Sequence, residues 1–410
     1  MINLLYSYFD LDILQSVTFR AAAAAITALL ISFLLGPKII RTLQNHHIGE
    51  MIRKNGPVTH YLKAGTPTMG GIIMILSIIL PSILWTKYDN AYSWTIIIST
   101  LFMAVVGFID DYLKIVKKIS KGLIARYKII AQILVGIFIS YMIFNHIDGP
   151  QIIIDTFDEN GNSINISEDI PSTSISIPFI AANSPFNNDT NNDIISKGNK
   201  VANNSDGIIN SFLELPKWIY VLLIITIIMA TSNAINLTDG LDGLATGLSA
   251  ISILTMGVIA YASGREFFSD YLNIMYIHGS DELLIFSFAS VGACLGFLWY
   301  NSSPAMVFMG DTGSLALGTA LGTLAILVRK EILLIIIGGV FVIEALSVII
   351  QVLYFKYTKK KYGEGKKMFL MTPIHHHFEQ KGLPESRIVV RFWIIGILLA
   401  LFSLSSFKLQ

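Results

Sequence analysis

The sequence predicts an all-α integral membrane protein of about ten transmembrane helices, and three observations predict it. Of its 410 residues 53% are hydrophobic and only 14% charged, with a mean hydropathy of +0.63, far from the balance of a soluble domain. Apolar runs of about 20 residues, the length that crosses a hydrocarbon layer, recur along the chain. Basic residues gather in alternate loops between those runs, as they do in loops held on the cytoplasmic side. A formal net charge of +1 gives no case for a nucleic-acid partner.

Met1 to Ser16 carries Asp10 and Asp12 and no basic region, unlike a cleavable signal peptide, so the first span, 17–40, is expected to be a genuine helix. Further spans fall near 70–86, 92–110, 128–147, 217–235, 245–263, 283–300, 313–328, 332–356 and 389–408. One set of alternate loops holds Arg53, Lys54 and Lys63, then Lys114 to Lys128, then Lys356 to Arg391, and the other set is sparse in basic residues. The rich set is therefore expected inside and both termini outside. The domain reading is a membrane unit over 1–147, an external polar insertion over 148–216 and a second membrane unit over 217–410. The insertion, with stretches such as Asn187-Asn-Asp-Thr-Asn-Asn-Asp193, reads as low complexity, with short strands possible at Ile152–Ile154 and Ile175–Ile180. The single Cys294 lies in an apolar run and reads as a small packing residue. No internal repeat of the kind that builds inverted-repeat transporters is evident.

Polar residues in such a chain are functional candidates by default. Asn233-Ala-Ile-Asn-Leu-Thr-Asp-Gly-Leu-Asp-Gly-Leu-Ala245 places Asn233, Asn236, Asp239 and Asp242 three residues apart. Three residues advance about 300° around a helix, so the four cannot share one side of a regular helix, and Gly240 and Gly243 mark a helix end opening into a polar site. Asp110-Asp111 closes the third span, and Asp111 and Lys114, three apart, can share a face. In Asn301-Ser-Ser-Pro-Ala-Met-Val-Phe-Met-Gly-Asp-Thr-Gly-Ser314, Asp311 stands between glycines at the start of a span. Free N–H groups there suit phosphate, the carboxylate suits a divalent cation, and Phe308 offers a flat face to a base. Lys63-Ala-Gly-Thr-Pro-Thr-Met-Gly-Gly71, with Lys63 and Thr66, suits phosphate or serves as a breaker before the second span. His375-His-His377 suits phosphate better than metal, because consecutive side chains do not converge on one ion. Each cluster also has a plainer reading as an interfacial charge, a helix cap or core. Gly363-Glu-Gly-Lys-Lys367 lacks the elements of a phosphate-binding P-loop. Asp, Asn, Lys and His gathered at cytoplasmic ends, without a covalent-nucleophile constellation, fit Mg²⁺-assisted phosphoryl transfer with a lipid as one substrate.

Seven segments, Lys63–Gly71, Asp110–Lys114, Gly122–Lys128, Asn233–Ala245, Asn301–Ser314, Glu344–Gln351 and Met371–Glu379, resemble in order the signatures of the phospho-N-acetylmuramoyl-pentapeptide-transferase family, within the polyprenyl-phosphate sugar-1-phosphate transferases. The resemblance leaves out only 148–216. It implies transfer from UDP-N-acetylmuramoyl-pentapeptide to undecaprenyl phosphate with release of UMP, in peptidoglycan synthesis. It implies dependence on Mg²⁺, ten helices, a homodimer, and a place in the bacterial inner membrane. Carried over by position, Asp311 would ligate Mg²⁺, with Asp239 a further candidate, and Phe308 would stack on uracil. Asp242, Asn236 and Asp239 would hold nucleotide and phosphates, with Asn301 beside them. Lys63, Lys114 and Lys128 would offset phosphate charge, and Gln351, His375 and His376 would line the donor pocket. From the residues themselves the expectation is a direct in-line attack, with Asp110 near the acceptor and Asp111 held by Lys114; the competing two-step route would put a covalent phosphosugar on an aspartate. The alternatives are a transferase taking UDP-N-acetylglucosamine and, from another class, a secondary transporter.

Overall fold

The computed structural model describes residues 12–45, 65–119, 122–157, 163–178 and 212–409. The helices are α1 (Val17–Asn45), α2 (Gly71–Trp85), α3 (Ala91–Ile115), α4 (Ala125–Asn145), α5 (Lys217–Thr238), α6 (Leu244–Ser263), α7 (Glu266–Tyr271), α8 (Leu283–Asn301), α9 (Gly310–Leu327), α10 (Glu331–Ile337), α11 (Gly339–Tyr362), α12 (Ile374–Gln380) and α13 (Glu385–Ser405). Eight apolar helices among the described residues are long enough to cross a membrane. The protein is an all-α, multi-pass membrane protein. The other two expected spans are helical as well, α2 being shorter and apolar.

Two expected boundaries are corrected. The span near 92–110 continues to Ile115, so Asp110 and Asp111 lie within the helix instead of closing it; their charges are met by the protein, as described below. The span near 332–356 is two helices, broken at Gly338. Past the break α11 buries only Val340, Phe341, Glu344, Ser347 and Thr358, so its second half leaves the bundle.

α9 is the axis of the fold. Every residue from Thr312 to Leu327 is buried, and α9 packs on α3, α5, α6 and α2. Gly, Ala, Ser and Thr make up most of its surface, and small residues let helix backbones approach where lipid gives no hydrophobic drive between helices. α1 packs chiefly on α8, and Cys294 of α8 is fully buried as a packing residue.

The region between α4 and α5 contributes two antiparallel pairs. β1 (Gln151–Phe157) pairs with β2 (Ser163–Asp169), and β3 (Ser174–Ser176) with β4 (Phe212–Glu214). Gln151 also exchanges backbone hydrogen bonds with Tyr276 (2.7 and 2.8 Å). The strand stretch expected over Ile175–Ile180 is thus a strand only to Ser176, and its last residues lie outside the described ones. A cavity of about 760 Å³ lined by Asp148, Gln151, Asp169, Glu266, Tyr276 and His278 opens here, at the helix ends away from Asp110 and Asp311.

Candidate active site

α3 brings two carboxylates to α9. Asp111 turns onto the first turn of α9, accepting from the Asp311 N–H (3.1 Å), the Thr312 N–H (2.9 Å) and the Thr312 hydroxyl (2.6 Å). A helix start offers unpaired N–H groups and a positive dipole end, and Asp111 meets both. Asp110, one residue earlier and about 100° around the helix, points elsewhere. Its Oδ1 accepts from the Leu123 N–H (2.6 Å), and its Oδ2 is paired with Lys114 and with Lys128 (3.0 Å). The expected pairing of Asp111 with Lys114 is therefore not found. Lys114 reaches Asp110, four residues back on the same face, and Asp311 (3.1 Å), while Asp111 is drawn to the helix start.

Asp311 stands in the first turn of α9, after Gly310 at φ +76°. Its Oδ2 lies 2.5 Å from Lys128 and 3.1 Å from Lys114, and its Oδ1 accepts from the Asn236 amide (2.9 Å). Asn236 also donates to Ser314 (2.8 Å). Asp110, Asp111 and Asp311 each offer an oxygen within 4.8 Å of the others. Three carboxylates face two ammonium groups, which leaves one negative charge uncompensated if all are ionised. Carboxylate oxygens are the donors that hard divalent cations take, so the cluster could hold a metal. Asp239 is not among the three.

The four polar residues of the α5–α6 connection face different ways. Asn233 donates to Met229 O (2.7 Å) and to Gln132 (3.3 Å) on α4, and Asn236 reaches the carboxylates. Asp239 follows the last residue of α5. Asp242 is 4% exposed and accepts from the Ala305 N–H (3.1 Å), while its own N–H donates to Glu385 (2.6 Å). Asn301, also buried, accepts from the Gly243 N–H (3.1 Å) and the Thr246 hydroxyl (3.2 Å) and donates to Val307 O (2.9 Å). Asp242 and Asn301 thus fasten the stretch 302–309 to the turn. Phe308 sits on that stretch, half-buried, its N–H bonded to Pro67 O (2.8 Å) beside Thr66. Lys63 lies outside the described residues.

α12 carries the three histidines in three directions. His375 Nδ1 is 3.0 Å from Glu344, His376 Nδ1 is 3.1 Å from Glu379, and His377 Nδ1 accepts from the Leu370 N–H (3.2 Å). His375 and His376 lie against Gly240, the residue after Asp239, which joins α12 to the α5–α6 turn. Gln351 takes the N–H groups of Met368 and Phe369 (2.9 and 3.0 Å) and donates to Phe369 O, an anchor for the segment leading to α12.

The structure therefore gathers Asp110, Asp111, Asp311, Lys114, Lys128 and Asn236 in one contact set, with Asp239, Asp242, Asn301, His375 and His376 around the neighbouring turn. Thr312, Ser314, Glu344 and Glu385 belong to the same network and were not singled out from the sequence. Thr312 and Ser314 lie beside Asp311, a signal that was available. Glu344 is an acidic residue inside an apolar run, which also was a signal, while nothing local marks Glu385.

A family model described as glycosyl transferase family 4 matches residues 93–329. The phospho-N-acetylmuramoyl-pentapeptide-transferase of Flavobacterium psychrophilum is 44% identical over 413 residues, covering 98% of this chain and 97% of the relative. That of Flavobacterium johnsoniae is 42% identical over 430 residues, covering 100% of both. That of Chloroherpeton thalassium is 44% identical over 400 residues, covering 98% of this chain and 95% of the relative.

Proposed function

The chain belongs to the phospho-N-acetylmuramoyl-pentapeptide-transferases, within glycosyl transferase family 4, and from that premise we propose how its residues work. It transfers phospho-N-acetylmuramoyl-pentapeptide from the UDP-linked donor to undecaprenyl phosphate, releasing UMP and forming the first lipid intermediate of peptidoglycan synthesis. The observation that carries the assignment of residues is the meeting of Asp110, Asp111 and Asp311 with Lys114, Lys128 and Asn236. Positioning and charge stabilisation do most of the work in phosphoryl transfer, and this set supplies both.

Lys114 and Lys128 receive phosphate oxygens of donor and acceptor, exchanging their carboxylate partners for them. Asp311, with Asp110 and Asp111 beside it, is the site for Mg²⁺. When bound, the ion supplies Lewis-acid neutralisation of the phosphoryl oxygens. Asn236 orients the Asp311 carboxylate, and the α5–α6 turn with Asp239 and Asp242, Asn301, Phe308 and Thr66 forms the nucleotide side. Gln351, His375 and His376 line the donor pocket.

Attack is direct. Both oxygens of Asp110 are engaged, one by a backbone N–H and one by two ammonium groups, which suits holding those ammonium groups in place for the acceptor better than proton abstraction. A phosphate monoester has its second pKa near 6, so the acceptor is already mostly ionised at neutral pH. Rapid-quench detection of a phosphosugar-aspartate adduct before acceptor is added would sink the direct scheme.

The reaction faces the cytoplasm of the bacterial inner membrane, with both termini outside and the chain paired as a homodimer. In support, Lys117, Lys118 and Arg126 flank the carboxylate end of α3 and α4. A transporter would concentrate its polar residues near the bilayer midplane, whereas these lie in the last turns of α3 and α5 and the first turn of α9. The deciding experiment supplies UDP-N-acetylmuramoyl-pentapeptide or UDP-N-acetylglucosamine with undecaprenyl phosphate, with and without Mg²⁺. UMP release with the first donor alone, and only with Mg²⁺, is expected; release with the second donor alone overturns the substrate, and flux without UMP overturns the reaction.

A further inference from the structure

Glu344 and His375 form a pair that none of the roles above requires. Both side chains are fully buried, and His375 Nδ1 lies 3.0 Å from Glu344 Oε2. Glu344 stands in the second turn of α11, just past the break at Gly338, where the helix still packs on the bundle. His375 is the second residue of α12 and the buried residue of that helix. The other ring nitrogen, His375 Nε2, is buried and has no hydrogen-bond partner among the described residues. It faces Gly240, and a side chain at 240 would run into the imidazole, its Cβ falling 3.0 Å from His375 Cε1 and 3.3 Å from His376 Nε2. Gly240 follows Asp239 and lies two residues before Asp242.

A buried ring nitrogen with a fixed direction and no protein partner costs free energy unless something completes it, and a bound ligand, a catalytic role or an ordered water are the usual ways a native fold completes one. Where the Glu344 carboxylate accepts from the other ring nitrogen, the proton sits on Nδ1 and the ring plane is fixed. A carboxylate serves the same purpose behind many working histidines.

We propose that Glu344 is a positioning residue for the transfer, holding His375 with Nδ1 protonated and Nε2 aimed at the Asp239–Gly240 turn, where it engages the bound UDP-sugar donor. Resting on the transferase reading above, this places the working end of α12 under the control of α11. The contact forms when donor binding shifts the turn enough to admit a polar group of the donor to Nε2. Glu344 itself touches no substrate.

The test uses the full chain in lipid nanodiscs, with Glu344→Ala, Glu344→Leu, His375→Ala and the double variant Glu344→Ala/His375→Ala. For a partner behind a working histidine, kcat/KM with the UDP-linked donor is expected to fall by about 10–100-fold in Glu344→Ala. The double variant is expected to be no slower than His375→Ala alone, because the glutamate acts only through the histidine. Formate, small enough for the space left by the side chain, should restore part of the rate in Glu344→Ala and none in His375→Ala. Nitrogen NMR of labelled histidine, which needs no turnover, should show Nδ1 protonated in the wild type and a changed tautomer balance in Glu344→Ala. It should also show Nε2 moving when UMP is added to the wild type.

If Glu344→Ala does not assemble, Glu344→Leu, which also offers no acceptor, carries the same cycle. Losses that multiply in the double variant, wild-type rates in a folded Glu344→Ala or Glu344→Leu variant, or an unchanged histidine spectrum each overturn the proposal. Absence of UMP release from the wild type would instead overturn the transferase reading, and the spectrum would still decide the pair.

Discussion

Asp111 and Thr312 are joined twice, once through the threonine N–H and once through its hydroxyl, at 2.9 and 2.6 Å, although 201 residues separate them. A side chain from α3 is thus the cap of α9, the helix that carries Asp311.

The first prediction concerns that cap. Asp111→Ala strips the start of α9 of its acceptor and should cost about 2 kcal/mol, the upper range for a lost cap, because the Thr312 hydroxyl is buried with it. Asp111→Asn keeps an acceptor and should cost less in stability while still reducing turnover. A thermal-unfolding cycle with Thr312→Val checks the pairing, since residues in contact should couple by about 0.5 kcal/mol or more.

Lys128 and Lys114 should not be equivalent. The Lys128 side chain is 19% exposed against 36% for Lys114, so its charge is less screened by solvent. Lys128→Met should lower kcat/KM by about 100-fold, the strong end for a charge-assisted contact, and Lys114→Met by less. Equal losses in steady-state assays would contradict this ordering.

Removal of divalent cations by a chelator should stop UMP release, and Mg²⁺ or Mn²⁺ should restore it, as oxygen-rich sites prefer. Asp311→Asn should raise the Mg²⁺ concentration needed for half-maximal rate. If that variant keeps the wild-type Mg²⁺ dependence, the ion is held elsewhere.

Two deletions in the region between α4 and α5 should differ. Ser176 and Phe212 are facing partners on β3 and β4, so a short glycine linker from 178 to 212 should leave catalysis largely intact. Removing 174–214 also takes Ser176, which accepts from the Lys330 ammonium at 2.9 Å. Melting temperature should fall in the second deletion only, and an inactive but well-folded first deletion would show that the region serves the chemistry.

Lys330, in the turn between α9 and α10, supplies a pH dependence. Burial pushes its pKa down from 10.5 to about 8, against the attraction of Glu331. The folded state therefore disfavours the charged ammonium. Between about pH 8 and 10.5 the unfolded chain binds more protons than the folded one, and this group makes stability rise with pH there; the gain is lost as pH falls through 8. Lys330→Met should flatten that part of a melting-temperature profile. An unaltered slope would mean that Lys330 is already charged at no cost.

Helix positions are legible in this sequence because apolar length is a one-dimensional signal, and the α5–α6 turn is legible because Gly240 and Gly243 interrupt it. Pairing is not one-dimensional. Asp111 and Lys114 lie on adjacent turns and invite each other, yet the N–H groups of α9 outbid the lysine, and nothing near residue 111 announces a helix start 200 residues away. The family resemblance implies that Asp242 and Asn301 are ligand-binding groups, while their bonds to Ala305, Gly243 and Val307 show that they hold the local fold together. The break in the ninth span has a visible marker, the pair Gly338-Gly339, that apolar length alone overlooks.

Gly107 lies one helical turn before Asp111, against the main chain of Asp311, and a Cβ there would come within 2.6 Å of the Asp311 carbonyl carbon. Two backbones, not two flexible side chains, therefore set the gap across which the carboxylates face each other. A methyl group at 107 would act as a shim, widening that gap by prising apart the frames that hold the acids, and no change of rotamer could close it again. The tolerance of the cluster is built into the thickness of a hydrogen atom.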